Sequence, residues 1–219
     1  MGHFRRLYSE KSSAIVSRGV KGGGVVSFLY DPEGRRKYLT IAERQAFLKV
    51  AKRLSSHERT FCYMIAYTGA RLSEVLALTP QRIDFAARVV IFESLKKRRR
   101  GVYRAIPIPP TVFDELDLVH NVRAVQQDEP SAKKPLWRFK RTTAWKLVKR
   151  TMADASIHGP QASPKGLRHA FAVAALQAGV PINFVRKWLG HARLSTTEIY
   201  ADAVGEEEQA IARRFWETF

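Results

Sequence analysis

The sequence predicts an α+β domain, mainly helical, with one small antiparallel sheet. Three observations carry this expectation. From Thr40 onward, apolar residues recur at helical spacing and are punctuated by capping residues and by Gly or Pro stops. Only two runs, 88–93 and 102–108, have the β-branched or apolar character of strands, and they flank a single basic turn at 96–101. With 45% hydrophobic residues and four tryptophans in 219 residues, the chain can bury a real core.

Residues 1–38 differ from the rest. They carry Arg5, Arg6, Lys11, Arg18 and Lys21, then Gly22-Gly23-Gly24, a short apolar run at 25–30, and Asp31-Pro32-Glu33-Gly34-Arg35-Arg36-Lys37. Such a basic, glycine-broken segment is expected to be an arm, either a mobile tail or a strap around a polyanion. Residues 39–219 are expected to form the folded domain. Thr40-Ile41-Ala42-Glu43 is a capping box, opening a helix to about residue 54. A second helix over 57–68 places Phe61, Met64, Ile65 and Thr68 on one face and ends at Gly69. A third, 73–78, stops before Pro80. After the two strands, Pro109-Pro110 opens a helix over 111–125, and a polar, proline-bounded loop spans 126–135.

The remainder is helical. A helix over 142–156 has Trp145, Val148 and Met152 at helical spacing. Ser163 caps the next helix, Pro164 suits its first position, and Gly179 ends it. A short helix, 181–189, stops at Gly190. Ser195-Thr196-Thr197-Glu198 forms a second capping box, expected to start a short helix bearing Tyr200 with its hydroxyl exposed. The last stretch, 206–218, alternates acidic, basic and aromatic residues, and Ile211, Phe215 and Trp216 suit packing on the same domain or on a neighbouring subunit.

Charge narrows the function. Thirty-eight Lys and Arg against twenty Asp and Glu leave a net charge of +18, which predicts a polyanionic partner. No apolar run approaches the roughly 20 residues of a membrane span, and no signal-peptide pattern precedes the basic N-terminus. The expectation is a cytoplasmic protein associated with nucleoid or plasmid DNA. The single cysteine, Cys62, sits in an apolar helical stretch and reads as a core thiol.

Four short motifs carry chemistry. Lys165 and Arg168 share one face at a helix start, where free backbone N–H groups also attract anions. Arg71 follows Gly69-Ala70 at a break between helices, where its planar fork can grip two phosphate oxygens, with Glu74 placed to hold it. His169 borders an apolar run and reads as a hydrogen-bonded core histidine. His191 follows Gly190 in a loop, nine residues before Tyr200. A tyrosine hydroxyl has a pKa near 10, so attack through it needs a base or a strongly cationic site. Taken singly, these residues are a solvated basic face, a helical ion pair and a loop histidine. Taken in order, they suit attack of a tyrosine on a phosphodiester.

In these motifs the chain resembles the tyrosine recombinases, also called phage integrases, over about residues 38–205. Thr68-Gly69-Ala70-Arg71-Leu72-Ser73-Glu74 is similar to the box carrying that family's first catalytic arginine. Leu167-Arg168-His169 resembles the box carrying the second, and Leu189-Gly190-His191 with Tyr200 resembles the histidine and nucleophile pair. The hairpin with Lys96, Arg104 and Pro107 resembles the one bearing the catalytic lysine, with Lys97 as the alternative to Lys96. The resemblance implies the fold of DNA breaking–rejoining enzymes and a 3′-phosphotyrosyl intermediate made with no cofactor or metal. It implies catalytic roles for Arg71, Lys96, Lys165, Arg168, His191 and Tyr200. Lys97, Arg98, Arg99, Arg100 and Arg104 would contact double-stranded DNA, and a homotetramer would form on paired sites.

The chain departs from the family pattern twice. Lys165 stands where the family usually has histidine, a form similar to a plasmid-borne branch. About 38 residues precede the catalytic region where most relatives carry a DNA-clamping domain, a layout similar to short inversion-type recombinases. The implied function is site-specific recombination, whether integration, inversion or plasmid resolution. The alternatives are a non-catalytic DNA-binding protein on the same fold and a type IB topoisomerase-like relaxing enzyme.

Overall fold

Thr40 starts the first helix as its sequence requires. In the computed structural model, which describes residues 29–94, 101–200, 212–213 and 215–217, its hydroxyl accepts from the Glu43 N–H while the Glu43 carboxylate accepts from the Thr40 N–H. Helix α1 (Ile41–Ala51) packs on α2 (Ser56–Thr68), whose buried face includes Phe61, Met64, Ile65 and Thr68. After α3 (Leu72–Leu76) and a 3₁₀ turn at Pro80–Arg82, three strands form an antiparallel sheet in the order β1 (Ile83–Asp84), β2 (Val89–Glu93), β3 (Tyr103–Pro107). The two-residue β1 is too short to leave a sequence pattern.

The expected helix over 111–125 is two, α4 (Pro110–His120) and α5 (Val122–Val125), broken where Asn121 takes a left-handed conformation at φ 50°. Within the expected loop lies one further turn, α6 (Glu129–Ala132), whose N-terminus Asp128 caps. Next come α7 (Arg141–Asp154), α8 (Pro164–Gln177) with Ser163 as its cap, α9 (Ile182–Leu189) ending at Gly190, and α10 (Ser195–Glu198).

Two hydrophobic clusters result. The larger joins α1–α4, α7, the sheet and the start of α8, and includes Cys62, whose thiol burial pushes up to about 12. The smaller gathers Leu29, Tyr38, Ala172, Val173, Val185, Leu189 and Tyr200. Because Leu29 and Tyr38 are buried in it, the folded body reaches back to at least Leu29, upstream of the boundary expected near residue 38. Arg36 anchors this segment through its ion pair with Glu43. The expected arm residues 1–28 lie outside the described residues.

On α7, Val148 and Met152 are buried and Trp145 is 46% exposed on the flank. Two sequence expectations fail here for physical reasons. The capping box at Ser195 does not form. The chain enters α10 from Leu194, already helical, so no side-chain cap is made, and the buried Thr197 hydroxyl bonds His191 instead. Tyr200 lies two residues past α10 and is only 3% exposed. Of the expected last helix, 212–213 and 215–216 are helical, with Phe215 and Trp216 exposed.

Candidate active site

The site begins at the turn between α2 and α3. Gly69 adopts φ 59°, and a Cβ there would stand 2.6 Å from the Phe171 ring, so only glycine lets α2 end against α8. The turn delivers Arg71. Its backbone N–H and its Nη1 both donate to Glu74, at 2.8 and 2.9 Å. Glu74 is 2% exposed and accepts two more bonds from Arg104, at 2.7 and 3.3 Å. Burial alone would push the Glu74 carboxyl up. The hydrogen bonds and charge of Arg104, then the contacts of Arg71, outweigh it and hold the group below the usual carboxylate range.

Arg104 therefore corrects an expectation. It was expected on the DNA surface with the basic hairpin, but it shares its strand face with Ile106 and stands opposite Phe92, so the two-residue period turns it inward. Its Nε donates to the Trp188 carbonyl at 2.7 Å, and its guanidinium lies over the Phe92 ring. It is a buried strut that ties Glu74 to α9. The other hairpin candidates, Lys96, Lys97, Arg98, Arg99 and Arg100, lie outside the described residues. The ends of their turn are held by the Ser94 N–H donating to the Val102 carbonyl at 2.8 Å.

On α8, Gly166 passes so close to residue 161 that a Cβ would meet the Gln161 carbonyl at 1.8 Å. This close packing sets the first turn, with Lys165 exposed and Arg168 buried. Arg168 donates from Nη1 to the Gly69 carbonyl at 2.8 Å, from Nη2 to the Leu189 carbonyl at 2.6 Å, and from Nη2 to His191 Nε2 at 3.1 Å. Its remaining donors are available to an anion. Burial, with the nearby Arg71 charge, pulls its pKa down to about 10, which still leaves it charged at neutral pH.

A guanidinium can only donate, so His191 Nε2 is the acceptor, and Nδ1–H donates to Thr197 Oγ1 at 2.9 Å. The His191 ring stacks on Tyr200 at 6.2 Å between centroids, with the planes 14° apart. The Tyr200 hydroxyl lies 2.9 Å from His169 Nδ1. Burial pushes the Tyr200 phenol up, and Arg168 and Arg71 only partly offset this.

Arg71, Lys165, Arg168, His191 and Tyr200, expected from sequence to work together, all line one cleft of about 780 Å³. Arg141, Trp145 and Arg193 line it too and escaped the sequence reading. For Arg141 and Trp145 a signal existed: they are four apart, hence on one face of α7.

The cleft gathers a tyrosine hydroxyl, arginines and histidines, the groups to which the resemblance to tyrosine recombinases assigns phosphodiester chemistry. Comparison with known proteins supplies the family. The chain belongs to the phage integrase family, whose model matches residues 37–207. It is 29% identical over 188 residues to the tyrosine recombinase XerA of Pyrococcus furiosus, covering 83% of this chain and 63% of that protein. It is also 29% identical over 186 residues to the tyrosine recombinase XerD of Mycobacterium leprae, covering 76% and 57%. The chain thus spans about three fifths of the length of these curated relatives.

Among solved structures, the post-cleavage complex of XerH recombinase with its difH substrate superposes with a TM-score of 0.68 at 20% identity, covering 83% of this chain and 53% of that one. The catalytic domain of bacteriophage HP1 integrase gives 0.58 at 22%, covering 80% and 93%. Both show the tyrosine recombinase catalytic fold, mostly helical with a small antiparallel sheet.

Proposed function

We propose that this chain is the catalytic part of a site-specific DNA recombinase. The observation that carries the reading is the convergence of Tyr200, His191, Lys165 and two braced arginines on one cleft, in a chain of net charge +18. Tyr200 attacks the scissile phosphorus, forming the O–P bond as the bond to the 5′-oxygen breaks. The product is a 3′-phosphotyrosyl link and a 5′-hydroxyl, and attack by that hydroxyl or by one from a partner strand reseals the DNA. The link keeps the phosphodiester's energy.

Arg71 and Arg168 neutralise the crowded phosphate in the transition state. Loss of one such preorganised donor raises a barrier by about 3–4 kcal/mol in comparable sites. A hairpin lysine, Lys96 or Lys97, protonates the leaving 5′-oxygen. His191 accepts from Arg168 through Nε2 and so orients that guanidinium toward the phosphate. Lys165 acts as a base toward the tyrosine proton or only as a fixed charge. Joining two duplexes requires four active sites, hence a tetramer on paired sites. If about 6–10 phosphates are contacted, affinity falls roughly 10³–10⁵-fold between 50 and 200 mM salt.

The test uses a nicked suicide duplex chosen by the protein from a random pool. Wild type becomes covalently attached to the duplex, whereas Tyr200→Phe binds it without attachment. Binding without attachment by wild type would leave a DNA-binding protein and end the catalytic reading. Attachment by Tyr200→Phe would move the nucleophile elsewhere. Lys165→His and Lys165→Ala separate the two roles of Lys165: activity of the histidine variant alone supports proton transfer, and equal activity of both with wild type removes the residue from the mechanism.

A further inference from the structure

His169 lies outside the residues that the family resemblance assigns to catalysis, yet it is the group touching the nucleophilic oxygen. Its Nδ1 stands 2.9 Å from the Tyr200 hydroxyl, while its Nε2 is buried with no hydrogen-bond partner among the described residues. This asymmetry selects a tautomer. A neutral imidazole has one N–H. Placed on Nε2, that hydrogen would be a buried donor with nothing to bond. Placed on Nδ1, it bonds Tyr200 and leaves only a lone pair at Nε2, and orphaned buried N–H groups are the rarer and costlier kind.

The surroundings keep the ring neutral. Lys165 and Arg168 face the pair from α8, Lys37 from the segment before α1, Arg71 from the turn between α2 and α3, and His191 from the loop after α9. Burial, then Lys165, Arg168 and Lys37, push the His169 pKa down to about 4. A ring so reluctant to bind a proton is a poor base for a phenol, so the opposite polarity, with the hydroxyl donating to Nδ1 and the proton following, is disfavoured on both counts.

We propose that His169 donates its Nδ1–H to the Tyr200 oxygen, aims the attacking lone pair, and stabilises the phenolate as it forms. The hydroxyl proton then leaves on the cleft side, to water. The role rests on the recombinase reading above and adds a catalytic residue to it. Being fixed before the substrate arrives, such a donor needs no reorganisation during attack.

The experiment places 3-fluorotyrosine at position 200 of the full chain and follows its ionisation by fluorine NMR in wild type, His169→Asn and His169→Phe. The midpoint should rise by about one unit or more in His169→Phe. His169→Asn, whose amide N–H can stand in for Nδ1–H, should restore most of the difference. Single-turnover attachment to the selected duplex should follow the same order, with its rising pH limb displaced upward and the rate about tenfold lower at fixed pH, the equivalent of one unit.

An unchanged or lowered midpoint in folded His169→Phe overturns the proposal. So does ¹⁵N NMR of the wild-type histidines showing His169 protonated on Nε2, a readout that does not depend on any variant folding. Wild-type attachment with an unmoved midpoint sinks this role and leaves the recombinase reading intact. A moved midpoint without wild-type attachment keeps the His169–Tyr200 hydrogen bond but ends the recombinase reading and, with it, the catalytic role.

Discussion

Arg71 and Tyr200 face the same cleft but are held in different ways. Arg71 is clamped by Glu74, which is buried, accepts four hydrogen bonds, and is tied through Arg104 to the Trp188 carbonyl on α9. This half stands on the larger core. Tyr200 follows a single uncapped helical turn, rests on the smaller cluster, and is located by the His169 and Thr197–His191 hydrogen bonds. The difference has a functional meaning. On the proposed recombinase reading, the cations are set in advance where negative charge would develop, whereas Tyr200, only 3% exposed, belongs to a part that opens at low cost to admit a duplex and closes again onto His169 for attack.

The largest test of this contrast removes the brace. Glu74→Gln leaves Arg71 and Arg104 close together without their shared counter-charge, and breaking a buried pair in this way costs about 3–5 kcal/mol. Urea unfolding should show a loss of that size, and a loss under about 1 kcal/mol would mean that the brace is not structural.

Acid should weaken both halves, the nucleophile half through His169. With the folded His169 pKa near 4 and the unfolded value near 6.5, the unfolded chain binds the proton that the folded site refuses. Stability from this group is complete above about pH 6.5 and falls as pH drops toward 4, by about 3 kcal/mol. His120, pushed to about 4 by burial and by His57, works in the same direction within the larger core. Glu74, with its depressed carboxyl, adds a loss only below its ordinary value of 4.5. Thermal melts of wild type and His169→Asn between pH 7 and 4 measure the His169 share, since the asparagine variant should lose less over that range.

The smallest effect expected is that of Thr197→Val. It removes the acceptor for His191 Nδ1–H and should cost about 1 kcal/mol, while loosening the ring that stacks on Tyr200. A cost matching that of Glu74→Gln would erase the distinction between the halves.

What sequence could and could not reveal follows the same division. The Thr40 cap, the glycine at the end of α2, the Ser163-Pro164 start of α8 and the Gly190 stop are local devices, each written in a few adjacent residues, and all appear as expected. The order of Arg71, Arg168, His191 and Tyr200 was visible because each sits in a short motif. Glu74 holding Arg71 was legible too, but the share of Arg104 in the brace was not, because Glu74 and Arg104 are thirty positions apart. Nor was the burial of Tyr200, which depends on Leu29 and Tyr38 returning from a segment that reads as a basic arm. Ser195 shows the limit of local rules: its capping box is present in sequence and unused, because the chain is already helical at Leu194.

The contrast between the halves is tested most directly by amide hydrogen exchange, resolved by peptide, on the free protein. Residues 65–76 and 103–107 should exchange only through global unfolding, while 191–200 should exchange through local opening, with a free energy several kcal/mol lower. Equal protection across the two sets would contradict the account, since the nucleophile would then be as firmly fixed as the cations that await its substrate.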